Sequence, residues 1–218
     1  MKKSAFTMIE LVFVIVVLGI IASIAMDRME RDLKQEASET ILSHIRLAQQ
    51  LALSDDKHRS DNDTKWQRAY WRIQFINCSD SGDVRPIYNV GSDIDLNKSL
   101  SKIESAVDPI NGKYLYATCN SSMIGDDVSQ DIFIGQHYGV SKVNLTGCSS
   151  SVSSTANQIA FDYLGRPHRG IGGYDTSVFN RIVISDCNLT VTMSDNTTFS
   201  IIVEAETGHA FIVGQENS

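Results

Sequence analysis

From Phe6 to Met26 the chain is apolar at almost every position, and Glu10 is the one charge in that stretch. Twenty-one such residues in an α-helix are long enough to cross a hydrocarbon core of about 30 Å. Beyond Met26 the pattern changes from continuous to periodic. Met29, Leu33, Ala37, Ile41, Ile45, Ala48 and Leu51 recur every three or four residues, which is one face of an amphipathic helix. Asp27 with Arg31 and Glu30 with Lys34 have the i,i+4 spacing that supports it. No proline precedes Pro86, so the spacing predicts one continuous helix, with residues 6–26 in the membrane and 27–54 beyond it. Lys2 and Lys3 stand before the apolar run without an acidic neighbour, which keeps the N-terminus cytoplasmic and puts the rest across the membrane.

After the polar loop "SDDKHRSDNDTK" the period becomes two. In "AYWRIQF", Ala69, Trp71, Ile73 and Phe75 share one face and Tyr70, Arg72 and Gln74 the other, the pattern of a half-buried strand. Further strand-like runs are "RPIYNV", "KYLYATC", "DIFIG", "QIAFDYLG", "RIVIS", "LTVTM", "FSIIVEA" and "HAFIV". "SDN" after Met193 and "AETG" before His209 are hairpin turns. "CSSSVSSTAN" is a low-complexity loop. The expected fold class is α+β: a long N-terminal helix followed by a mostly antiparallel β domain over residues 66–218, large enough to bury its own core.

Charge and cysteines narrow the class. A net charge of −7 repels nucleic acid overall and leaves only local basic patches as contacts. Cys78, Cys119, Cys148 and Cys187 lack C-x-x-C spacing, which argues against a zinc or redox motif. In an exported domain four cysteines suggest two disulfides. Three connectivities are open, and the sequential one, Cys78–Cys119 with Cys148–Cys187, is favoured. His44, His58, His137, His168 and His209 are scattered, and G-x-S-x-G, P-loop and H-E-x-x-H motifs are missing. No enzymatic activity, cofactor or metal is expected.

Glu10 carries the strongest signal. A carboxylate inside a membrane-length run costs several kcal/mol unless it has a partner, so it marks function by default. "KKSAFTMIELVFVIVVLGIIA" resembles the prepilin N-terminus of type IV pilins and type II secretion pseudopilins. In that family a short basic leader is cut before a phenylalanine followed by T-L/M-I-E-L, and prepilin peptidase methylates the new N-terminus. The resemblance implies a leader over residues 1–5, cleavage between Ala5 and Phe6, and methylation at Phe6. Ala5 stands where the family usually has glycine. It also supplies a partner for Glu10: the amine of Phe6, one helical turn away, or that of a neighbouring subunit, which makes Glu10 an assembly residue. A plain signal anchor, and a signal peptide cleaved after Ser23-Ile24-Ala25, are the competing readings.

"WRIQF", "FDYLGRP" and "IIVEAETGHAFIV" look like the H-type (GspH/FimT-like) minor pseudopilins, whose fold is a long helix followed by a β-sandwich-like domain. Some FimT-like relatives bind DNA through a basic Gly-Arg segment, which makes Arg166, His168 and Arg169 of "GRPHRG" possible DNA contacts, set against an ordinary exposed turn. In "DIDLNKSLSKIE", Asp93, Asp95, Asn97, Ser99 and Glu104 fall at calcium-loop offsets, but Lys98 occupies the glycine position. An amphipathic helix with Leu96, Leu100, Ile103 and Val107 on one face and a Ser101–Glu104 capping box is the preferred reading. Of several Asn-x-Ser/Thr sequons, those at Asn97 and Asn188 have an aspartate two residues earlier.

The combined expectation is a structural minor pseudopilin of a type II secretion filament, in the bacterial inner membrane with a periplasmic domain and periplasmic or surface-exposed when assembled. Its partners are prepilin peptidase, other pilin subunits and the membrane, with nucleic acid not expected. The alternatives are a minor pilin of a type IV or DNA-uptake pilus, and a soluble periplasmic binding or hydrolytic domain.

Overall fold

A computed structural model of the chain describes residues 8–55, 69–80, 83–97, 99–119, 125–148, 157–169 and 181–216. The leader over residues 1–5, Phe6, most of the polar loop after Ser54 and the low-complexity loop 149–156 lie outside these, as do the side chains of Asp27, Glu30 and Arg31.

Helix α1 runs unbroken from Met8 to Ser54, with Gly19 causing no interruption. Its two halves differ as the apolar spacing predicts. Between Met8 and Ser23 the described side chains are exposed on every side, apart from half-buried Val17. From Leu33 onward one stripe turns inward: Ala37, Ile41, Ile45, Ala48 and Ala52 are buried, flanked by partly buried Leu33, Leu47 and Leu51.

That stripe packs on two four-stranded sheets. The first has the order β2-β1-β4-β5, with β1 Trp71–Asp80, β2 Asp83–Ser92, β4 Gln158–Phe161 and β5 Pro167–Arg169. The second has the order β3-β6-β7-β8, with β3 Val140–Thr146, β6 Cys187–Met193, β7 Thr198–Val203 and β8 Ala210–Ile212. Every ladder is antiparallel. Strand β6 alternates buried and half-buried residues along its whole length, the period-two signature of a sheet covered more fully on one face. Ile73, Phe75 and Phe161 from the first sheet and Leu189, Val191 and Ile201 from the second join Ile41 and Ile45 in one core. The α+β architecture fits the expectation.

Several local expectations need correction. "DIFIG" is not a strand: it holds the end of a 3-10 turn, Gln130–Ile132, and the start of helix α2, Ile134–Tyr138, closed by Gly139 at φ 74°. Short apolar runs do not distinguish a buried strand from a buried helical turn. "KYLYATC" and "RIVIS" are extended but make only isolated bridges, Val107 with Tyr114, Tyr114 with Val128, and His168 with Ile182. Arg72, assigned by alternation to the outer face of β1, is buried with its guanidinium 3.7 Å from Asp93. Strand β1 lies between β2 and β4, so both its edges are paired, and Asp93, just beyond β2, stands over the face that carries Arg72 and offsets its buried charge. Strands β3 and β5 were not foreseen.

The helix expected in "DIDLNKSLSKIE" is reduced to one 3-10 turn, Lys102–Glu104, although its Ser101–Glu104 capping box is present. Side chains take the backbone donors that a helix would use. Glu104 accepts from the Ile94, Asp95 and Ser101 N–H groups, Asp93 and Asp95 both accept from Asn97 N–H, and Asn97 accepts from Ser99 N–H. Asp, Asn and Ser compete with helical hydrogen bonds in this way. Leu96 sits at φ 58° within the resulting turn.

Candidate functional site

Glu10 lies in the first described turn of α1. Around it Met8, Ile9, Leu11, Val12 and Phe13 are all exposed, Met8 at 85%. A helix that is apolar on every side needs lipid or other helices around it. Among the described residues no helix is long and apolar enough to cross a membrane. The expected span of 6–26 extends beyond the described side chains, 8–23, at both ends. Ala5 and Phe6, the expected cleavage and methylation positions, lie outside the described residues.

The C-terminal half of α1 is fastened to the domain by polar side chains on its inner edge. Gln49 Nε2 donates to Gly165 O at 3.0 Å and to Thr207 O at 2.8 Å. These two carbonyls belong to "FDYLGRP" and "AETGHA", so both motifs meet on one helical side chain. Gly208, at φ 67°, leaves no room there: a Cβ would run into Gly165 O and Gln49 Nε2. One turn earlier, Arg46 donates twice to Ala210 O of β8. Deeper in the core, His44 Nδ1 lies 2.6 Å from the Tyr88 hydroxyl and His44 Nε2 3.8 Å from Asp108. Burial lowers the His44 pKa, and Asp108 and Asp131 oppose that only in part. Burial, reinforced by Tyr138, Asp131 and Asp108, raises Tyr88 well above its usual range. A protonated phenol therefore donates to the Nδ1 of a neutral imidazole.

The basic segment turns inward. Asp162, fully buried, accepts from Leu164 and Arg166 N–H through Oδ1, and through Oδ2 from Arg166 Nε at 2.9 Å, with His168 Nε2 3.1 Å away. Burial alone would raise this carboxyl, but the His168 and Arg166 hydrogen bonds prevail and hold it below the usual carboxylate range. His168 is fully buried and stacks on Tyr70, ring centres 4.6 Å apart. The Arg169 guanidinium donates to Cys148 O and Leu145 O. Phe-Asp-x-x-Gly-Arg is thus a turn built around one carboxylate, with Gly165 at φ 77°. Asp162 and Gln49 escaped sequence reasoning. Asp162 stood within a quoted motif, but nothing in the spacing marks Gln49.

Cys78 pairs with Cys119 and Cys148 with Cys187, and among the described residues no thiol is free. The first disulfide ties β1 to the segment after Tyr114, and the second joins the end of β3 to the start of β6. Carboxylate oxygens of Asp93, Asp95 and Glu104 lie within 4.8 Å of one another, but backbone N–H groups already engage all three, and Arg72 stands beside Asp93.

Residues 1–26 match the family described as "Prokaryotic N-terminal methylation motif". No curated protein and no solved structure matches the chain. The motif supports a type IV pilin-like subunit processed by prepilin peptidase, with a membrane-anchored N-terminal helix and assembly with other pilin subunits.

Proposed function

We propose that this chain is a minor pseudopilin of a type II secretion filament, of the H-type. The observation that carries the reading is the division of α1: apolar and exposed on every described side near Glu10, then one-sided and packed from Leu33 onward. One end of the helix needs an apolar environment and the other holds a disulfide-bonded domain, as an anchored filament subunit requires. Prepilin peptidase cuts between Ala5 and Phe6 and methylates Phe6. In the membrane the resulting cation offsets the Glu10 carboxylate, since each charge alone is costly in lipid. During assembly Glu10 meets the amine of a neighbouring subunit, and that pair sets the axial register. The two-sheet domain then supplies lateral contacts to other minor subunits or to cargo.

Within this reading Arg166, His168 and Arg169 stabilise the fold and do not contact DNA, because their described partners are internal. Mass spectrometry of the N-terminus of membrane-purified protein tests the processing. A chain starting at N-methylated Phe6 supports it, and a start at Met26 or an intact Met1 refutes it. Deletion of the gene separates the machines. Loss of protein secretion fits the proposal, whereas loss of transformation with secretion intact favours a DNA-uptake pilus.

A further inference from the structure

We infer that Asn97 is an acceptor for N-linked glycan, added across the membrane by an oligosaccharyltransferase from a polyprenyl-diphosphate-linked oligosaccharide. The sequence offers two asparagines in the acidic context Asp-x-Asn-x-Ser/Thr, "DLNKS" and "DCNLT", and the fold separates them. Asn188 belongs to β6, an inner strand, paired with Thr146 on one side and Ile202 on the other. It directly follows Cys187 of a disulfide. Presenting it to an enzyme would require opening both ladders. Asn97 is exposed, belongs to no helix or strand, and lies between β2 and the Lys102–Glu104 turn. An N-x-[ST] acceptor in an exported protein belongs in such a surface loop.

The local chemistry favours reaction at the same residue. A carboxamide nitrogen is a weak nucleophile because its lone pair is delocalised into the carbonyl. At Asn97, Asp95 Oδ2 accepts from Nδ2–H at 2.8 Å, which raises electron density on the nitrogen. Ser99 N–H donates to Asn97 Oδ1 at 2.8 Å, which fixes the orientation of the carboxamide so that Nδ2 faces Asp95. Asp95 and Ser99 are also the two residues that complete the acidic sequon. In the transfer, Nδ2 forms a bond to the anomeric carbon of the first sugar and loses one proton to a base. The anomeric carbon–oxygen bond breaks, and the polyprenyl diphosphate leaves with the electron pair. Ile94 and Ile103 stand exposed on the same knot, Ile103 at 90%, and a glycan here would shield them from water. Asn196, exposed in the β6–β7 turn, is a useful internal control because Ser194 rather than an acid precedes it by two positions.

The inference rests on the exported topology of the proposed function, so one experiment reads both. The full-length protein is purified from membranes of its native host, digested, and its N-terminal, Asn97, Asn188 and Asn196 peptides are sequenced by electron-transfer mass spectrometry. The expected result is hexose or N-acetylhexosamine mass on Asn97, with Asn188 and Asn196 bare. Asn97→Gln and Ser99→Ala should abolish the added mass, Ser99→Thr should keep it, and Asp95→Ala should lower occupancy severalfold. An unmodified Asn97 peptide overturns the inference, as does sugar linked to Ser99 oxygen or found at Asn196 alone. An unmodified Asn97 beside N-methylated Phe6 leaves the filament reading standing, whereas an intact Met1 refutes the filament processing by itself.

Discussion

The Nδ1 atom of His44 lies 2.6 Å from the hydroxyl of Tyr88, joining the middle of the packed half of α1 to β2 inside the core. His44 is only 2% exposed, and the phenol donates to it as a neutral ring. The burial that lowers its pKa makes this contact sensitive to acid. Above pH 6.5, the ordinary histidine value, the ring is neutral in both folded and unfolded chains and pH has no effect through it. Below that value the unfolded chain takes up a proton that the folded chain resists, so stability falls as pH drops. The negative charges of Asp108 and Asp131 limit the loss, whereas the Tyr88 hydroxyl, as a donor to Nδ1, favours the neutral ring. Thermal melts from pH 7.5 to 5 should show a declining Tm, and His44→Gln should flatten the curve. An equal decline in the variant would assign the effect elsewhere.

Asp162 predicts a second, more acidic loss. Its folded pKa is depressed, so its contribution is complete above the ordinary carboxylate value of 3.8 and disappears as pH falls below it. Replacing it with alanine leaves Arg166 and His168 without their shared acceptor and should cost about 3–5 kcal/mol, the usual scale for breaking a buried charged network. Urea unfolding of Asp162→Ala at pH 7 measures this directly.

At the helix–turn junction, Gln49→Ala should cost roughly 1–3 kcal/mol, two net hydrogen bonds of ordinary strength. Gly208→Ala places a Cβ against Gly165 O and the Gln49 amide at a positive φ, and should be at least as damaging. The two losses should be less than additive when combined, because both act on one contact. A double-mutant cycle tests that coupling.

Each disulfide closes a loop of about forty residues, with sequence separations of 41 and 39. Removing either should cost about 2–5 kcal/mol. Reduction with dithiothreitol should lower Tm in the native protein, and the Cys148→Ser/Cys187→Ser variant should be less affected by the same treatment.

At the far end of the helix, Glu10→Ala should leave membrane insertion and folding of the domain unchanged while removing the protein from sheared filaments. Immunoblots of membrane and filament fractions separate these effects, and normal filament incorporation would refute the assembly role of Glu10.

The helix and most strands were legible because their apolar periods differ: a continuous run, then three and four, then two. The change along α1 from all-round exposure over 8–23 to a buried stripe beyond Leu33, and the hairpins at Asp195 and Thr207, follow from those changes. The segment 93–101 misled because its apolar residues have helical spacing while its Asp, Asn and Ser side chains offer the backbone another set of partners. "DIFIG" misled because five residues cannot express a period. Arg72 reads as surface from its charge, and the long-range meeting with Asp93, helped by Glu104, offsets the cost of its burial. The cysteine pairing was one of three possibilities, and Gln49 was invisible because its partners lie 116 and 158 positions away.

Helix α1 has 47 residues, about 70 Å of contour at 1.5 Å per residue, and among the described side chains those that grip the domain lie from Leu33 onward. Tension applied near Glu10 therefore reaches the domain as shear along the helix. The buried stripe from Ala37 to Ala52 and the bonds from His44, Arg46 and Gln49 share that load side by side instead of yielding one after another. The domain is attached like a flag lashed along a pole, and pulling on the membrane end strains many bonds a little before it breaks any one of them.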